Sequence, residues 1–272
     1  MASELDDFIA FAERLASANA ENAMKYFQSA FTVEHKADKS PVTEADREGE
    51  EIMRGMIRAA YPEHGIIGEE FPPERADAAF TWTLDPIDGT VAFVAGAPMF
   101  GTLISLLQDG EPILGVIDNP PLRQRWIGAA GRPTTLDGRP VRVRDCSGLE
   151  AATLSCSSPH YFKDAYREAF YRLAERVRMP SYGHFNYGYG LLASGFIDIV
   201  TDGTMMPYDY LPLIPILRGA GGVLADWQGN ERLKGPQSQV VAASSHELLE
   251  ETIGFLAEVL EEQDADREPS GR

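Results

Sequence analysis

The chain has 272 residues, 44% of them hydrophobic, enough for one large layered α/β domain or two closely packed halves and too apolar for global disorder. Its formal net charge of -18 argues against nucleic-acid or anionic-membrane binding through a basic surface. The same charge repels a phosphate dianion unless bound cations invert the local field.

The N-terminus, Met1 to Asp7, is acidic and lacks the basic region and apolar core of a signal peptide. No run of about 18 apolar residues occurs, so no membrane span is expected and a cytoplasmic protein is. Leu5, Phe8, Ile9, Ala12, Leu15 and Ala16 recur at helical spacing and predict a first helix within 4–31, with Ser3 as its N-cap. The polar stretch from Val33 to Pro41 begins as a strand. Its Lys36 and Lys39 read first as solvated charges and second as site residues. Thr43 opens a second helix, carried to about Ala60 by Ile52, Met53, Met56 and Ile57. Thr43 with Asp46 three residues on is close to a capping box, a sufficient role for Asp46. An outer metal ligand is a second role compatible with the first.

Gly65 to Glu70 reads as a short buried strand ending in Glu69 and Glu70, of which one enters a cleft, because adjacent strand residues face opposite ways. Phe80 to Leu84 is the next strand, and it runs into Asp85-Pro86-Ile87-Asp88-Gly89-Thr90. Pro86 pre-sets the backbone, and Gly89 lets main-chain amides approach a ligand. Thr90 opens a short helix over Val91 to Val94 with free N–H groups at its start. In isolation the string fits an ordinary surface turn as well as it fits a site. As a site it suits a divalent cation on the carboxylates and a phosphate on the amides. If the two strands are neighbours, their terminal carboxylates converge, as ligands do at strand ends in layered α/β folds.

Gly101–Leu107, Ile113–Ile117 and Gln124–Ile127 form a meander, and Asp137-Gly138 marks a further hairpin. A break near Cys146 to Leu149 separates an N-terminal α+β half, 1–148, from a C-terminal α/β half, 149–263, followed by a flexible tail, 264–272. The two cysteines, Cys146 and Cys156, read as free thiols. Leu154–Ser158 is a strand and His160–Val177 an amphipathic helix. Ser181 to Asp202 is rich in Gly and Tyr: a loop entering a packed helix, with His184 and Asn186 able to face a ligand, then a strand over Phe196–Thr201 ending at Asp202. Asp209 stands where a helix starts, with Pro212 in its first turn; N-capping and metal ligation suit it about equally. Pro215 kinks that helix or tightens its first turn, and Gly221-Gly222 ends it. Strands over Val223–Trp227 and Val240–Ala243 and a helix from Ser245 to about Glu262 complete the chain.

Five pieces stand in one order: Pro41-Val42-Thr43 with Ala45-Asp46, Ile67-Gly68-Glu69-Glu70, the Asp85 to Thr90 string, Tyr208-Asp209, and Gly219-Ala220-Gly221-Gly222. In this the chain resembles the inositol monophosphatase family over residues 41–222. The resemblance implies a layered α-β-α-β-α sandwich and a Mg2+-dependent phosphatase, a homodimer, acting on a small phosphorylated metabolite. It implies one Mg2+ on Glu69, Asp85 and the Ile87 carbonyl, a second on Asp85, Asp88 and Asp209, and a weaker third near Glu69 and Asp46. It further implies that Glu69 and Thr90 orient a water and take its proton, with Asp46 beside them. Asp88, Gly89 and Thr90 then meet the phosphate. Asp202, seven residues before Asp209, meets the substrate body, with His184 and Asn186 nearby.

One departure is plain. The family usually has Trp-Asp followed by small residues, where this chain has Tyr208-Asp209-Tyr210-Leu211-Pro212, so the helix behind Asp209 is atypical. That run, Gly115 to Leu122 with Arg125-Trp126, and Tyr189 to Ala193 with Gly195 and Asp198 resemble the histidinol-phosphate phosphatase branch. L-Histidinol phosphate is therefore the expected substrate, its amino group on Asp202. Inositol 1-phosphate or a broader set of sugar phosphates is the alternative on the same scaffold. A non-catalytic protein holding a structural ion is an alternative of another class, opposed by the presence of Glu69 and Thr90.

Overall fold

The computed structural model describes residues 3–30, 33–35 and 41–267; Lys36 and Lys39 lie outside the described residues. Two capping boxes start the first two helices. Ser3 and Asp6 cap α1 (Glu4–Tyr26), and Thr43 and Asp46 cap α2 (Glu44–Ala60). Between them β1 (Val33–His35) and β2 (Pro41–Thr43) pair antiparallel. Helix α1 stops short of the 4–31 span because Phe27 leaves it to pack its ring 5.0 Å from Phe100 and 5.9 Å from Phe93.

A seven-stranded sheet follows, in the spatial order β3 (Gly65–Gly68), β4 (Phe80–Asp88), β5 (Gly101–Gln108), β6 (Glu111–Asn119), β7 (Gln124–Ala129), β8 (Thr135–Leu136) and β9 (Arg139–Pro140). The expected meander is β5 to β7, and Asp137-Gly138 turns the β8–β9 hairpin. Only β3 and β4 run parallel in it. The second sheet holds β10 (Thr153–Cys156), β11 (Met179–Tyr182), β12 (Ile199–Met205), β13 (Val223–Asp226) and β14 (Gln237–Ala243) in the order β11-β10-β12-β14-β13. The helices between are α3 (Thr90–Val94), α4 (Asp164–Arg176), α5 (Asn186–Ala193), α6 (Pro207–Tyr210) and α7 (Leu213–Ala220), with α8 (His246–Arg267) last.

Three apolar cores define the layers. Phe8, Phe11 and Leu15 of α1 and Met53 and Ile57 of α2 pack on Trp82, Leu84 and Ile104 of the first sheet. Tyr189 and Leu192 of α5 and Leu213, Ile216 and Leu217 of α7 fill the middle, touching Leu103, Ile117 and Trp126 on one side and Val200, Val240 and Ala242 on the other. Phe170 and Leu173 of α4 and Leu256 and Val259 of α8 cover the far face of the second sheet. The result is the α-β-α-β-α sandwich expected, with α5 and α7 shared by both sheets.

Several elements differ from the sequence expectation. Strand β11 was not foreseen: it is an exposed edge strand containing Pro180, so it lacks an alternating pattern. Strand β12 starts at Ile199 rather than 196 and runs through Asp202 to Met205. Helix α4 begins at Asp164, after a separate 3-10 turn over Pro159–Tyr161 capped by Ser158. The expected single helix at Asp209 is two, α6 and α7, divided at Leu211-Pro212. Pro215 falls in the first turn of α7, where its missing N–H costs no bond. Helix α8 continues to Arg267, past the expected end near Glu262 and into the expected tail.

Helix α7 lies directly on strand backbone. A Cβ on Gly115 would overlap the Pro212 carbonyl oxygen, and one on Gly128 would meet the Ile216 main chain. Gly115→Ala is therefore expected to cost about 2–3 kcal/mol in urea denaturation. Gly55→Ala, on an open face of α2, should instead gain about 0.5–1 kcal/mol. Equal stability of Gly115→Ala and the parent would contradict this seating of α7.

Candidate metal centre and active site

Strands β3 and β4 are parallel neighbours, Gly68 opposite Leu84, so both deliver their C-terminal ends to one edge. The Glu69 N–H donates to the Leu84 carbonyl at 3.2 Å. Beneath that turn lies the fully buried Glu50 carboxylate of α2. It accepts from the N–H groups of Glu70 at 2.7 Å and Phe71 at 3.3 Å, in space that a side chain on Gly68 would fill. Arg54 holds Glu50 at 2.7 Å and also donates to Glu74 at 2.8 Å and to the Phe71 carbonyl at 3.0 Å. Asp46, Glu50 and Arg54 thus form a buried polar stripe at four-residue spacing, and Glu50, held by Arg54, fixes the Glu69-Glu70 turn.

The pairing of β4 with β5 shifts between Asp85 and Asp88, which bends the strand end. Asn19 of α1 and Thr102 of β5 donate to the Pro86 carbonyl at 2.7 and 3.0 Å. Asp85 Oδ1 accepts from the Ile87 N–H at 3.0 Å, the local turn contact that the string alone allowed. Thr90 Oγ1 donates to the Ile87 carbonyl at 3.0 Å. Gly89 has φ +83°, and a Cβ there would press on the Met99 carbonyl and the Phe185 ring. Asp209 is not an N-cap: it lies inside α6, and its Oδ2 accepts from the Met206 N–H at 2.7 Å.

Asp85, Asp88 and Asp209 meet: one oxygen of each lies within 4.8 Å of the others. The local turn contact and the convergence of carboxylates therefore occur together in the Asp85 string. Burial, and then the charges of Glu69, Asp88, Asp209 and Asp46, push the Asp85 carboxyl well above the ordinary range. Burial raises Asp88 to about 6, against the pull of two hydrogen bonds from Asn186. Burial also raises Asp46 to about 7; Glu69 and Glu70 add to this, while bonds from Thr43 oppose it. Crowded, desolvated oxygen donors of one sign are the donor set that suits a hard divalent cation. Glu69 and Asp46 act on this group through their charge and stand outside the 4.8 Å set.

The three residues expected to face substrate differ in placement. His184 is half-buried, its Nδ1 2.9 Å from Ser155 Oγ, and burial lowers its pKa, favouring the neutral ring. Asp202 is only 4% exposed, with Oδ1 accepting from the Ser157 N–H at 2.7 Å and Oδ2 from the Tyr189 hydroxyl at 3.1 Å. Burial raises its pKa to about 7. Asn186 is 2% exposed, and it donates to Asp88. Asp202 and Asn186 thus each hold a protein partner: Asp202 the Ser157 N–H and the Tyr189 hydroxyl, and Asn186 the Asp88 carboxylate. Glu50 escaped the sequence reading, and Tyr189 and Tyr208 entered it only as parts of motifs, with no role of their own. Tyr208 sits among the acids: burial, then Glu69, Asp209 and Asp85, push its phenol far up. The four-residue spacing of Asp46, Glu50 and Arg54 is the one signal that could have exposed Glu50.

The sequence profile described as "Inositol monophosphatase family" matches residues 4–262. The chain belongs to this family. A bifunctional phosphatase, IMPL2 of the Arabidopsis thaliana chloroplast, is 46% identical over 244 residues, covering 89% of this chain and 70% of that one. A histidinol-phosphatase of Mycobacterium tuberculosis is 36% identical over 81% of this chain and 86% of its own. A solved inositol monophosphatase from Zymomonas mobilis superposes with a TM-score of 0.86 at 39% identity, covering 94% of this chain and all of that one. Inositol monophosphatase family members are metal-dependent phosphatases, normally with Mg2+, and this chain is a phosphatase that acts on small phosphorylated compounds. Among the described residues no helix is long and apolar enough to cross a membrane.

The crowding predicts the behaviour of the metal-free protein. Carboxyls whose folded pKa is raised stabilise most below the ordinary carboxylate value and lose that contribution as pH rises through the folded value. For Asp88 and Asp46 the loss runs through about 6 to 7. The melting temperature without metal should therefore fall between about pH 5.5 and 8, and saturating Mg2+ should flatten the fall. Asp85→Asn removes a crowded charge but keeps an acceptor for the Ile87 N–H. It should raise metal-free stability at pH 8 by about 1–3 kcal/mol and remove the Mg2+-induced rise in melting temperature. Calorimetric melts with and without Mg2+ check both.

Proposed function

We propose that this phosphatase is a Mg2+-dependent histidinol-phosphate phosphatase. The observation that carries the metal assignment is the meeting of Asp85, Asp88 and Asp209 within 4.8 Å, with Thr90 on the Ile87 carbonyl beside them. Glu69, Asp85, the Ile87 carbonyl, Asp88 and Asp209 would hold two ions, and Asp46 with Glu69 would support a weaker third. Bound Mg2+ supplies Lewis acidity toward the ester and the positive field that an anionic chain needs to accept an anion.

The chain's own residues do the rest. Thr90 spends its hydroxyl proton on the Ile87 carbonyl, so its oxygen is left to accept from a water. That water attacks phosphorus as the ester P–O bond breaks, and the departing alkoxide takes a proton from solvent to leave as the alcohol. Glu69, on the turn braced by Glu50, takes the proton. Main-chain amides at Gly89 and Thr90 meet the phosphate oxygens, an approach that the absence of a Cβ at Gly89 permits.

Two facts favour histidinol phosphate over inositol phosphate. Relatives covering most of this chain are named histidinol-phosphatases. The buried Asp202 also lies close enough to Asp88 to feel its charge, and an ester carrying an ammonium suits that acidic field without direct contact. His184, held by Ser155 Oγ at 2.9 Å, is the ring this reading assigns to the substrate. The expected result of a substrate panel with Mg2+ is a kcat/KM for L-histidinol phosphate at least about tenfold above that for myo-inositol 1-phosphate, roughly 1.4 kcal/mol of discrimination. Asp202→Asn, which keeps the shape, should lower kcat/KM for the ammonium ester by about tenfold through KM and leave inositol phosphate nearly unchanged. A wild type inert toward histidinol phosphate would overturn the substrate and leave the phosphatase standing.

A further inference from the structure

We infer that Asn186 is a positioning residue for Asp88, fixing that carboxylate for the metal rather than reading the substrate. The inference rests on the proposal that Asp88 is a metal ligand. Asn186 gives two donors to one oxygen: its main-chain N–H lies 2.9 Å and its side-chain Nδ2 2.7 Å from Asp88 Oδ2. The Nδ2 group also lies 3.4 Å from the Asp88 carbonyl. With acceptors on both sides, the amide nitrogen must be the atom facing Asp88, because an amide oxygen there would meet only other oxygens. Two donors on one oxygen fix the carboxylate plane, and turning Asp88 about its side-chain torsions breaks both.

The anchor behind these donors is stiff. Asn186 is the first residue of α5, whose Tyr189, Leu192 and Ala193 lie in the core between the sheets. A Cβ on Gly190 would press into the Trp126 ring, so the helix cannot shift toward the first sheet. The residue before it, Phe185, is held at φ +48°, a left-handed backbone unusual for a non-glycine, with its ring against Gly89. That joint sets both Asn186 and the phosphate turn from one place.

The chemistry of the donors fits a ligand's support. Hydrogen bonds from a neutral amide favour the ionised carboxylate without adding positive charge, whereas an Arg or Lys at this position would repel the cation the site is built to hold. Loss of such a supporting bond to a metal ligand typically weakens binding about 10–100-fold.

The test uses Asn186→Ala and Asn186→Ser in the full chain. Mg2+ alone is titrated into metal-free protein by calorimetry, and p-nitrophenyl phosphate hydrolysis is followed against both Mg2+ and ester. The expected result is a Mg2+ dissociation constant and a Mg2+ activation constant raised about tenfold in Asn186→Ala, with KM for the ester at saturating Mg2+ within twofold of the parent. Unchanged Mg2+ binding with a raised ester KM would overturn the inference and return Asn186 to the substrate. Should the Ala variant fail to fold by circular dichroism, the Ser variant, which loses less volume and keeps a short donor, carries the same two readouts. Asp88→Asn is the control. If it binds Mg2+ like the parent, the ligand assignment falls and this inference with it; if it loses Mg2+ while Asn186→Ala does not, only this inference falls.

Discussion

Like charges held close together are the constraint on which this molecule turns. Two unit charges 4.8 Å apart repel by roughly 3.5 kcal/mol at an effective dielectric constant of about 20. Three aspartates meet within that separation, with Glu69 and Asp46 adding to the field. Left alone, such a group would spread apart or take up protons, and the raised pKa of Asp85, Asp88 and Asp46, due first to burial and then to neighbouring charge, expresses the second tendency. The fold resists the first tendency by pinning each acid to backbone that cannot move. Asp85 and Asp88 stand on a strand end bonded to α1 and β5, Asp46 is tied into the cap of α2, and Asp209 lies inside α6.

The pinning is done mainly by neutral groups. Asn19 and Thr102 hold the Pro86 carbonyl, Asn186 holds Asp88, Ser157 and Tyr189 hold Asp202, and Thr43 holds Asp46. The buried cation on this side, Arg54, is set behind Glu50 and committed to Glu50, Glu74 and the Phe71 carbonyl. This division has a physical reason. A guanidinium against the aspartates would relieve their repulsion in the metal-free protein and so remove the driving force for taking up a cation. Neutral donors orient the oxygens and leave the negative field intact.

What the sequence disclosed follows the range over which each interaction acts. The Asp85 to Thr90 string and the Glu69-Glu70 pair were legible because a strand end and its turn are local, and Pro86 and Gly89 announce the backbone they need. The capping box of Thr43 and Asp46 was legible for the same reason. The protein partners of Asn186 and Asp202 were not legible, because Asp88 and Ser157 come from segments distant in the chain. Strand β11 was missed because an exposed edge needs no apolar alternation. The extent of α1 and α8 was misjudged because helix ends are set by what the next residue packs against: Phe27 leaves for Phe93 and Phe100 although periodicity continues.

The departure from the family's usual pattern after Asp209 has its own physical consequence. Pro207 opens α6, Pro212 separates it from α7, and Pro215 lies in the first turn of α7. Each proline fixes a backbone angle in the unfolded chain as well as the folded one, so the segment loses less entropy on folding than a run of small residues would. Tyr210 fills the break with a buried ring, its hydroxyl donating to the Gly235 carbonyl at 2.8 Å. Behind it, α7 sits on the bare backbone of β6 and β7 at Gly115 and Gly128. Asp209 is thus carried on a stiff bracket seated on the sheet that bears Asp85 and Asp88. A carboxylate so mounted cannot retreat from its neighbours, and the repulsion it must endure without metal becomes the attraction it offers to a cation.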